Sequence, residues 1–249
     1  MSQPFRNLSK ENDAYLSRVW PGLEFRHCRN GSEPLGLGHI VMNAPCGLET
    51  LSGAPYGGGF GRADRIINAF VPKTFDCADP VAHIDGLIGA WGYAPERTIG
   101  LLTAANIALA SIAEAEGDQA AIVCCTTAGT SNGARAGKER PVFSAYAAGT
   151  INTIVAIDGR LTQAAMAGAL ITATEAKSAA FQDLGIVDAH TGEIATGTTT
   201  DTVAIAASQS ERFAGVHRYA GSATTLGNLL GRLVYETVYE AVRTQGEST

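Results

Sequence analysis

The hydrophobic residues of this chain fall largely into short runs, each bounded by Gly, Thr, Asn or Pro. Runs of that kind, rich in Ile, Val and Thr, read as buried strands. The apolar run 202–207 follows directly on Ala195-Thr196-Gly197-Thr198-Thr199-Thr200-Asp201, so Asp201 stands where a polar loop meets a strand. The same arrangement occurs twice more. Residues 121–127 run into Ala128-Gly129-Thr130-Ser131-Asn132-Gly133, and Gly149-Thr150-Ile151-Asn152 opens the run 153–157. If these three loop ends converge, they form one polar pocket at the rim of a sheet, where functional groups concentrate.

Further strands are expected at 35–43, 47–51 and 98–103, with a short edge strand at 23–28. The stretch Ser52-Gly53-Ala54-Pro55-Tyr56-Gly57-Gly58-Gly59-Phe60-Gly61 reads as a loop whose glycines reach φ > 0 and let a ligand approach the backbone. Residues 66–71 read as a buried strand or short helix closed by Pro72. A helix is expected at 79–91, with Pro80 in its first turn and Gly92 at its end. The Ala-rich stretch 106–116 also reads as helical. The span 131–148, holding Gly137 and Pro141, is a loop long enough to suggest function.

The strongest helix signal covers 161–184, with Thr162 as cap and Gly185 as terminator. At about 100° per residue, Met166, Ala169, Leu170, Ala173, Lys177, Ala180, Phe181 and Leu184 share one face and Glu175 lies opposite. Lys177 therefore sits on the apolar stripe. It is either a stem packed on the core with its ammonium snorkelling to water, or a lysine reaching into a pocket. On a straight helix Lys177 and Glu175 do not face one site. The last helix, 226–244, has a stripe of Leu226, Leu229, Leu230, Leu233 and Val234. Gly227 and Gly231 there allow close packing, within the fold or between copies in a homo-oligomer. Strands come first and helices collect towards the end. The expected class is α/β, or α+β, with a central mixed sheet flanked by helices and a long C-terminal helix. With no clean linker, residues 35–249 are expected to form one domain and 1–34 an N-terminal extension packing on it.

Composition narrows the setting. A chain of 249 residues buries roughly 70–75% of its unfolded surface, so disulfides are not needed for stability. The five cysteines include no C-x-x-C pair, which suits reduced thiols in a cytoplasm. Adjacent Cys124 and Cys125 point to opposite faces of a strand and do not share a metal easily. None of the five histidines pairs with another His or Cys at ligand spacing, so no metal site is expected. No apolar run approaches a membrane span, and a net charge of −6 without a basic patch argues against nucleic acid. The glycines at 57–61 carry neither G-x-G-x-x-G nor a Walker lysine.

One motif is tempting. Gly129-Thr130-Ser131-Asn132-Gly133 matches G-x-S-x-G after a strand. Ser131, Asp201 and His217 also occur in the chain order of a serine-hydrolase triad. The elbow needs a helix straight after the serine, however, and Ala134-Arg135-Ala136-Gly137-Lys138-Glu139-Arg140-Pro141 is a poor one.

Several blocks occur together in one order: 52–68, Thr126-Thr127-Ala128-Gly129-Thr130-Ser131-Asn132, Gly149-Thr150-Ile151-Asn152, Thr174-Glu175-Ala176-Lys177, 195–201, and Tyr219-Ala220-Gly221 before Thr225-Leu226-Gly227. In this the chain resembles the adenosylcobinamide amidohydrolase family of corrinoid salvage, over roughly 35–242. Gly53 and Gly133 depart from the serine and alanine of the family pattern, which widens two loops and bears on substrate preference.

The resemblance implies hydrolysis of the amide joining a corrin-ring propionate to aminopropanol. The products would be adenosylcobyric acid and aminopropanol, or its phosphate-linked form if complete cobamides are accepted. It implies a cytoplasmic protein whose partner is a corrinoid, with cobalt arriving in the substrate and no cofactor of the protein's own. Amide hydrolysis needs a nucleophile, an oxyanion stabiliser and a proton for the leaving amine. Asp201 is the first candidate base and Glu175 the second. Lys177 is a candidate to protonate the leaving amine or to hold a carboxylate. Asn132, Asn152 and the Gly-rich backbone are candidate oxyanion donors, and the nucleophile is either activated water or the hydroxyl of Thr198 or Ser131. Ser52, Gly58, Gly59, Asn68, Thr127, Ser131, Thr150, Asn152, Thr196, Thr198 and Thr200 are expected to line the substrate site. Asp188-Ala189-His190-Thr191-Gly192 is similar to the D-x-H-x-x-G loop of cobalamin-dependent mutases but one residue short, so His190 reads as a turn histidine. The alternatives are a corrinoid carrier without turnover and a serine hydrolase using Ser131.

Overall fold

The computed structural model describes residues 2–6, 14–29, 38–140 and 149–247. In chain order the strands are β1 (Ala14–Leu16), β2 (Glu24–Cys28), β3 (His39–Ser52), β4 (Gly59–Phe70), β5 (Thr98–Thr103), β6 (Ser111–Gly117), β7 (Ala120–Ala128), β8 (Gly133–Ala134), β9 (Ile151–Asp158), β10 (Arg160–Leu161), β11 (Gly197–Thr198), β12 (Thr202–Ala207) and β13 (Val216–His217). The helices are α1 (Pro80–Ala90), α2 (Gln163–Asp183) and α3 (Thr225–Thr244).

The main sheet runs β1-β2-β3-β12-β9-β7-β6, with β4 paired to β3 and β5 beyond β4. It is mixed, as expected: β9 lies parallel to β12 and β4 parallel to β5, while β3 and β7 run antiparallel to their neighbours. β3 pairs with β2 along its first half and with β12 along its second, while β4 follows its other edge throughout. That double engagement curls the sheet around an inner core containing Phe5, Trp20, Phe25, Met42, Leu101 and Val123. The outer face of β7, β9 and β12 packs on α2 and α3 through Ile122, Val155, Met166, Phe181, Leu230 and Val234. A smaller cluster of Val41, Ile67, Ile84 and Ile88 seats α1. Cys124 belongs to the helix-facing core and Cys125 to the inner one, as strand alternation requires. The molecule is an α/β domain.

Several elements differ from expectation. The two strands at 35–43 and 47–51 are one strand, β3, with a register irregularity between Asn43 and Leu48; Pro45 sits inside it, where a missing N–H is tolerated. The strand at 23–28 is not an edge, because β1 covers its far side. Residues 66–71 are largely the end of β4. The stretch 106–116 is not a helix. Asn106 caps a single 3₁₀ turn (Ile107–Leu109), and β6 follows, paired with β7 along its whole length. Alanine's helix preference is a weak prior that sheet pairing overrides here. Before residue 35, β1 and β2 extend the sheet and Phe5, Trp20 and Leu23 enter the inner core. Within the expected loop 131–148, β8 pairs with β11, while 141–148 lie outside the described residues.

The helices follow their signals. The Thr162 hydroxyl accepts from the Ala165 N–H at 3.2 Å to start α2, and Gly185, at φ +65°, follows its end. Pro80 opens α1 behind an Asp79 cap. Gly227 packs onto the chain at 220–221, where a Cβ would lie 2.1 Å from the Gly221 carbonyl oxygen. The close approach therefore serves the fold itself.

Candidate active site

β9, α2 and β12 form a parallel crossover unit, and this placement builds the site. α2 runs back against the strand direction, so its C-terminal half returns to the edge where β9 and β12 begin. Lys177, on the buried face of α2, thereby meets Asp201, the residue immediately before β12. The Lys177 ammonium pairs with Asp201 Oδ2, and both side chains are about nine-tenths buried, at 9% and 10% exposure. The reading of Lys177 as a pocket lysine is the one the geometry favours over snorkelling.

Asp201 is saturated with donors. Its Oδ1 accepts from the Ile151 N–H at 3.0 Å and from the Thr198 hydroxyl. Its Oδ2 accepts from the Thr198 N–H at 3.0 Å and from Lys177. One carboxylate thus ties the first residue of β9, the 195–201 loop and α2 together. Two glycines make the fit possible. A Cβ on Gly197 would collide with both members of the ion pair. Gly149 has φ +138°, and a Cβ there would lie 2.3 Å from Asn132 Oδ1 and 2.8 Å from Ser131 Oγ. Neither glycine stood out in the sequence, although both lie within the polar blocks that did.

The three loop ends converge. The Asn132 amide donates to Thr199 Oγ1 at 2.7 Å, and Thr198 faces Gly133 in the β8–β11 ladder. The Thr200 hydroxyl donates to the Gly149 carbonyl and that of Thr150 to the Thr200 carbonyl, both at 2.8 Å. The Thr196 oxygen accepts from the Ala136 N–H at 2.9 Å.

Asn68, Thr127 and Asn152 are brought together but lie behind this wall. Asn68 donates to Thr127 Oγ1 at 2.9 Å, and the Asn152 amide donates to Asn68 Oδ1 and the Leu102 carbonyl at 2.8 Å each. All three are at most 2% exposed. With its N–H groups committed to buried acceptors, Asn152 braces the strand ends rather than facing an oxyanion. Ser52 is also buried; its Oγ accepts from the Ala54 N–H at 2.9 Å and shapes the turn that follows. Gly58, whose Cβ would lie 2.2 Å from the Ala54 carbonyl oxygen, and Gly59, at φ +85°, form the turn into β4.

Other candidates fall elsewhere. Glu175 is exposed on the opposite face of α2 and lines a separate cleft of about 590 Å³ with Ala179 and Gln182, bordered also by Arg135 and Thr196. Ser131 lies at the site, but His217 does not. Its Nε2 is 3.1 Å from the Gln119 carbonyl, before the start of β7, whereas Ser131 follows the end of β7. A nine-residue strand spans about 30 Å, so the Ser131–His217 pair of a serine hydrolase is not assembled. His190 is exposed, and its N–H closes an Asx turn on Asp188 at 2.9 Å.

Two clefts meet at Asp201. One, of about 360 Å³, is lined by Pro55, Val71, Phe75 and Leu102 together with Thr150 and Thr200. The other, of about 620 Å³, is lined by Lys177, Thr196, Thr198, Arg135, Lys138 and Arg140. Thr199 and Asp201 line both. The basic residues of the second cleft are charge-balanced: Arg135 and Lys138 pair with Glu193, and Arg140 with Asp188. Burial works to raise the Asp188 carboxyl, but the Arg135 and His190 N–H groups and the Arg140 guanidinium hold it below the usual carboxylate range.

The arrangement is a hydroxyl, a carboxylate and an ammonium in series where two clefts meet, a set suited to acyl transfer. The chain is 33% identical over 202 residues to the adenosylcobinamide amidohydrolase of Methanosarcina mazei, covering 76% of this chain and 88% of that one. It is 34% identical over 160 residues to an uncharacterized protein of Methanocaldococcus jannaschii, covering 57% of this chain and 61% of that one. Among the described residues no helix is long and apolar enough to cross a membrane. The adenosylcobinamide amidohydrolase family model matches residues 30–249, and the chain belongs to that family.

Proposed function

We propose that the protein hydrolyses the amide between the corrin-ring propionate and aminopropanol of adenosylcobinamide, releasing adenosylcobyric acid and aminopropanol for corrinoid salvage in the cytoplasm. The observation that carries this reading is the Thr198–Asp201–Lys177 series at the junction of two clefts, in a chain of this family. The cleft that Thr198, Asp201 and Lys177 line together is about 620 Å³, and a corrinoid is larger. Only the reacting arm enters; the macrocycle stays outside, over the cleft mouth. Asp201 accepts the proton of the nucleophile. Lys177 delivers a proton to the departing amine, without which an unactivated amide does not cleave. The Asn132 side chain lies within the same loop cluster as an oxyanion donor. Glu175 has no part in this assignment, because it faces away from the pair.

The test is to incubate the purified protein with adenosylcobinamide and follow both products by mass spectrometry. Release of both, lost in an Asp201→Asn protein that keeps its native circular dichroism, supports the reading. Tight corrinoid binding without release overturns it in favour of a carrier. Absence of both binding and release means that this chain acts on another substrate.

A further inference from the structure

Resting on the amidohydrolase reading, we infer that Thr198 is the covalent nucleophile and that the reaction passes through a corrinoid ester of its side chain. The loop 195–201 holds four threonines, and their hydroxyls are committed differently. Thr200 donates to the Gly149 carbonyl at 2.8 Å, Thr196 faces the Ala134 carbonyl at 3.4 Å, and Thr199 accepts from Asn132 at 2.7 Å. Thr198 alone of the four donates to a carboxylate, Oδ1 of Asp201. The same carboxylate takes the Thr198 N–H on its other oxygen, so the residue is gripped at two points and its Oγ1 is fixed relative to the base. Thr198 lines the 620 Å³ cleft together with Lys177 and Asp201, so the hydroxyl, its base and an ammonium border one space. A hydroxyl becomes a competent nucleophile when an adjacent base takes its proton and a third group orients that base. Lys177, on Oδ2, is the third group.

The bonds balance as follows. Thr198 Oγ1 forms a bond to the substrate carbonyl carbon, and its proton passes to Asp201 Oδ1. The C–N bond breaks as the leaving nitrogen takes a proton from Lys177, giving free amine, an ester on Thr198, a neutral Lys177 and a protonated Asp201. Water then attacks the ester carbon and gives its proton to Lys177. The C–O bond to Thr198 breaks, and Oγ1 recovers its proton from Asp201. The sum is amide plus water to acid plus amine, with the protein restored.

The experiment uses the full-length protein turning over adenosylcobinamide in the presence of hydroxylamine, with the Thr198→Ala and Thr198→Ser variants alongside. An ester intermediate is intercepted, so part of the adenosylcobyric acid appears as its hydroxamate while aminopropanol release is undiminished. Acid quenching during turnover adds the corrinoid acyl mass to the peptide carrying Thr198. Turnover falls by about 10⁴-fold or more in Thr198→Ala and is partly retained in Thr198→Ser, both with native circular dichroism. Near-normal turnover in Thr198→Ala overturns the inference. So does loss of turnover in a folded Thr198→Ala when the unsubstituted protein yields neither hydroxamate nor acyl-peptide; Thr198 is then a positioning residue and water attacks directly. If the unsubstituted protein releases no aminopropanol at all, the amidohydrolase reading itself fails, and this inference with it.

Discussion

Gly197 and Lys177 meet with no room for a side chain between them: a Cβ on Gly197 would lie 2.4 Å from Lys177 Nζ and 2.2 Å from Asp201 Oδ2. The ion pair occupies the space that any other residue would fill. Gly197→Ala must therefore push the ammonium, the carboxylate or the loop aside. Overpacking of this kind costs about 1–3 kcal/mol, and misplacing a reacting group by about 1 Å costs about 100-fold in rate. Steady-state turnover of adenosylcobinamide and a urea melt of the same variant check both effects. An active, fully stable Gly197→Ala protein would show that the pair is not held as described.

Lys177 and Asp201 should be coupled in stability. Asp201→Asn leaves the buried ammonium facing an amide, and Lys177→Met leaves the carboxylate with its three remaining donors. Breaking a buried pair from one side costs about 3–5 kcal/mol. Removing both partners should recover part of that, with a coupling of about 1–3 kcal/mol in a double-mutant cycle. Strictly additive losses in urea denaturation would contradict a direct pair.

Glu175→Gln should leave turnover within about twofold and stability within about 0.5 kcal/mol, because surface substitutions away from special features do little. The residue is exposed and on the opposite face of α2 from Lys177. A large loss of turnover in that variant would assign Glu175 a role that its position does not suggest.

Acid should destabilise the protein through His39. The ring is 3% exposed, stacks on Trp91 at 3.7 Å between centroids, and places Nε2 2.8 Å from the Tyr93 hydroxyl. Burial, with a smaller contribution from His27, lowers its pKa from 6.5 to about 4. The folded state therefore disfavours the proton that the unfolded chain accepts. The stability His39 contributes is complete above pH 6.5 and is lost as pH falls from there to 4, by about 3 kcal/mol in all. Urea midpoints measured across that window should show a shallower fall in His39→Phe, which retains an aromatic ring to stack on Trp91. An unchanged slope would mean that another group carries the acid sensitivity.

How much of this was legible in the sequence varies by element. α2 was readable from Thr162, Gly185 and a 3.6-residue stripe, all local signals. The stripe also put Lys177 on the buried face and Glu175 opposite it. β6 was misread as a helix, because local alanine content cannot report that residues 111–117 lie along β7. The single long β3 was hidden for the same reason, since Pro45 and Gly47 look like a break until β4 is seen to follow it across the irregularity. Within the site, the Gly-Thr-Asn composition of three loops marked the region. It did not separate surface from support: Asn152 and Thr150 are close in sequence, yet one is committed to buried amides and the other lines the cavity.

The sequence by itself determined the class of fold, the polar loops that open β9 and β12, and the family, because these rest on periodicity, turn residues and ordered motifs along one chain. The tertiary structure decided which groups meet. The return of α2 against the strand direction brought Lys177 to Asp201, the bracing of the strand ends buried Asn68 and Asn152, and the length of β7 kept His217 from Ser131. Each of these depends on distances between residues far apart in the chain, set by how strands pair and how a crossover helix packs, which no local pattern encodes.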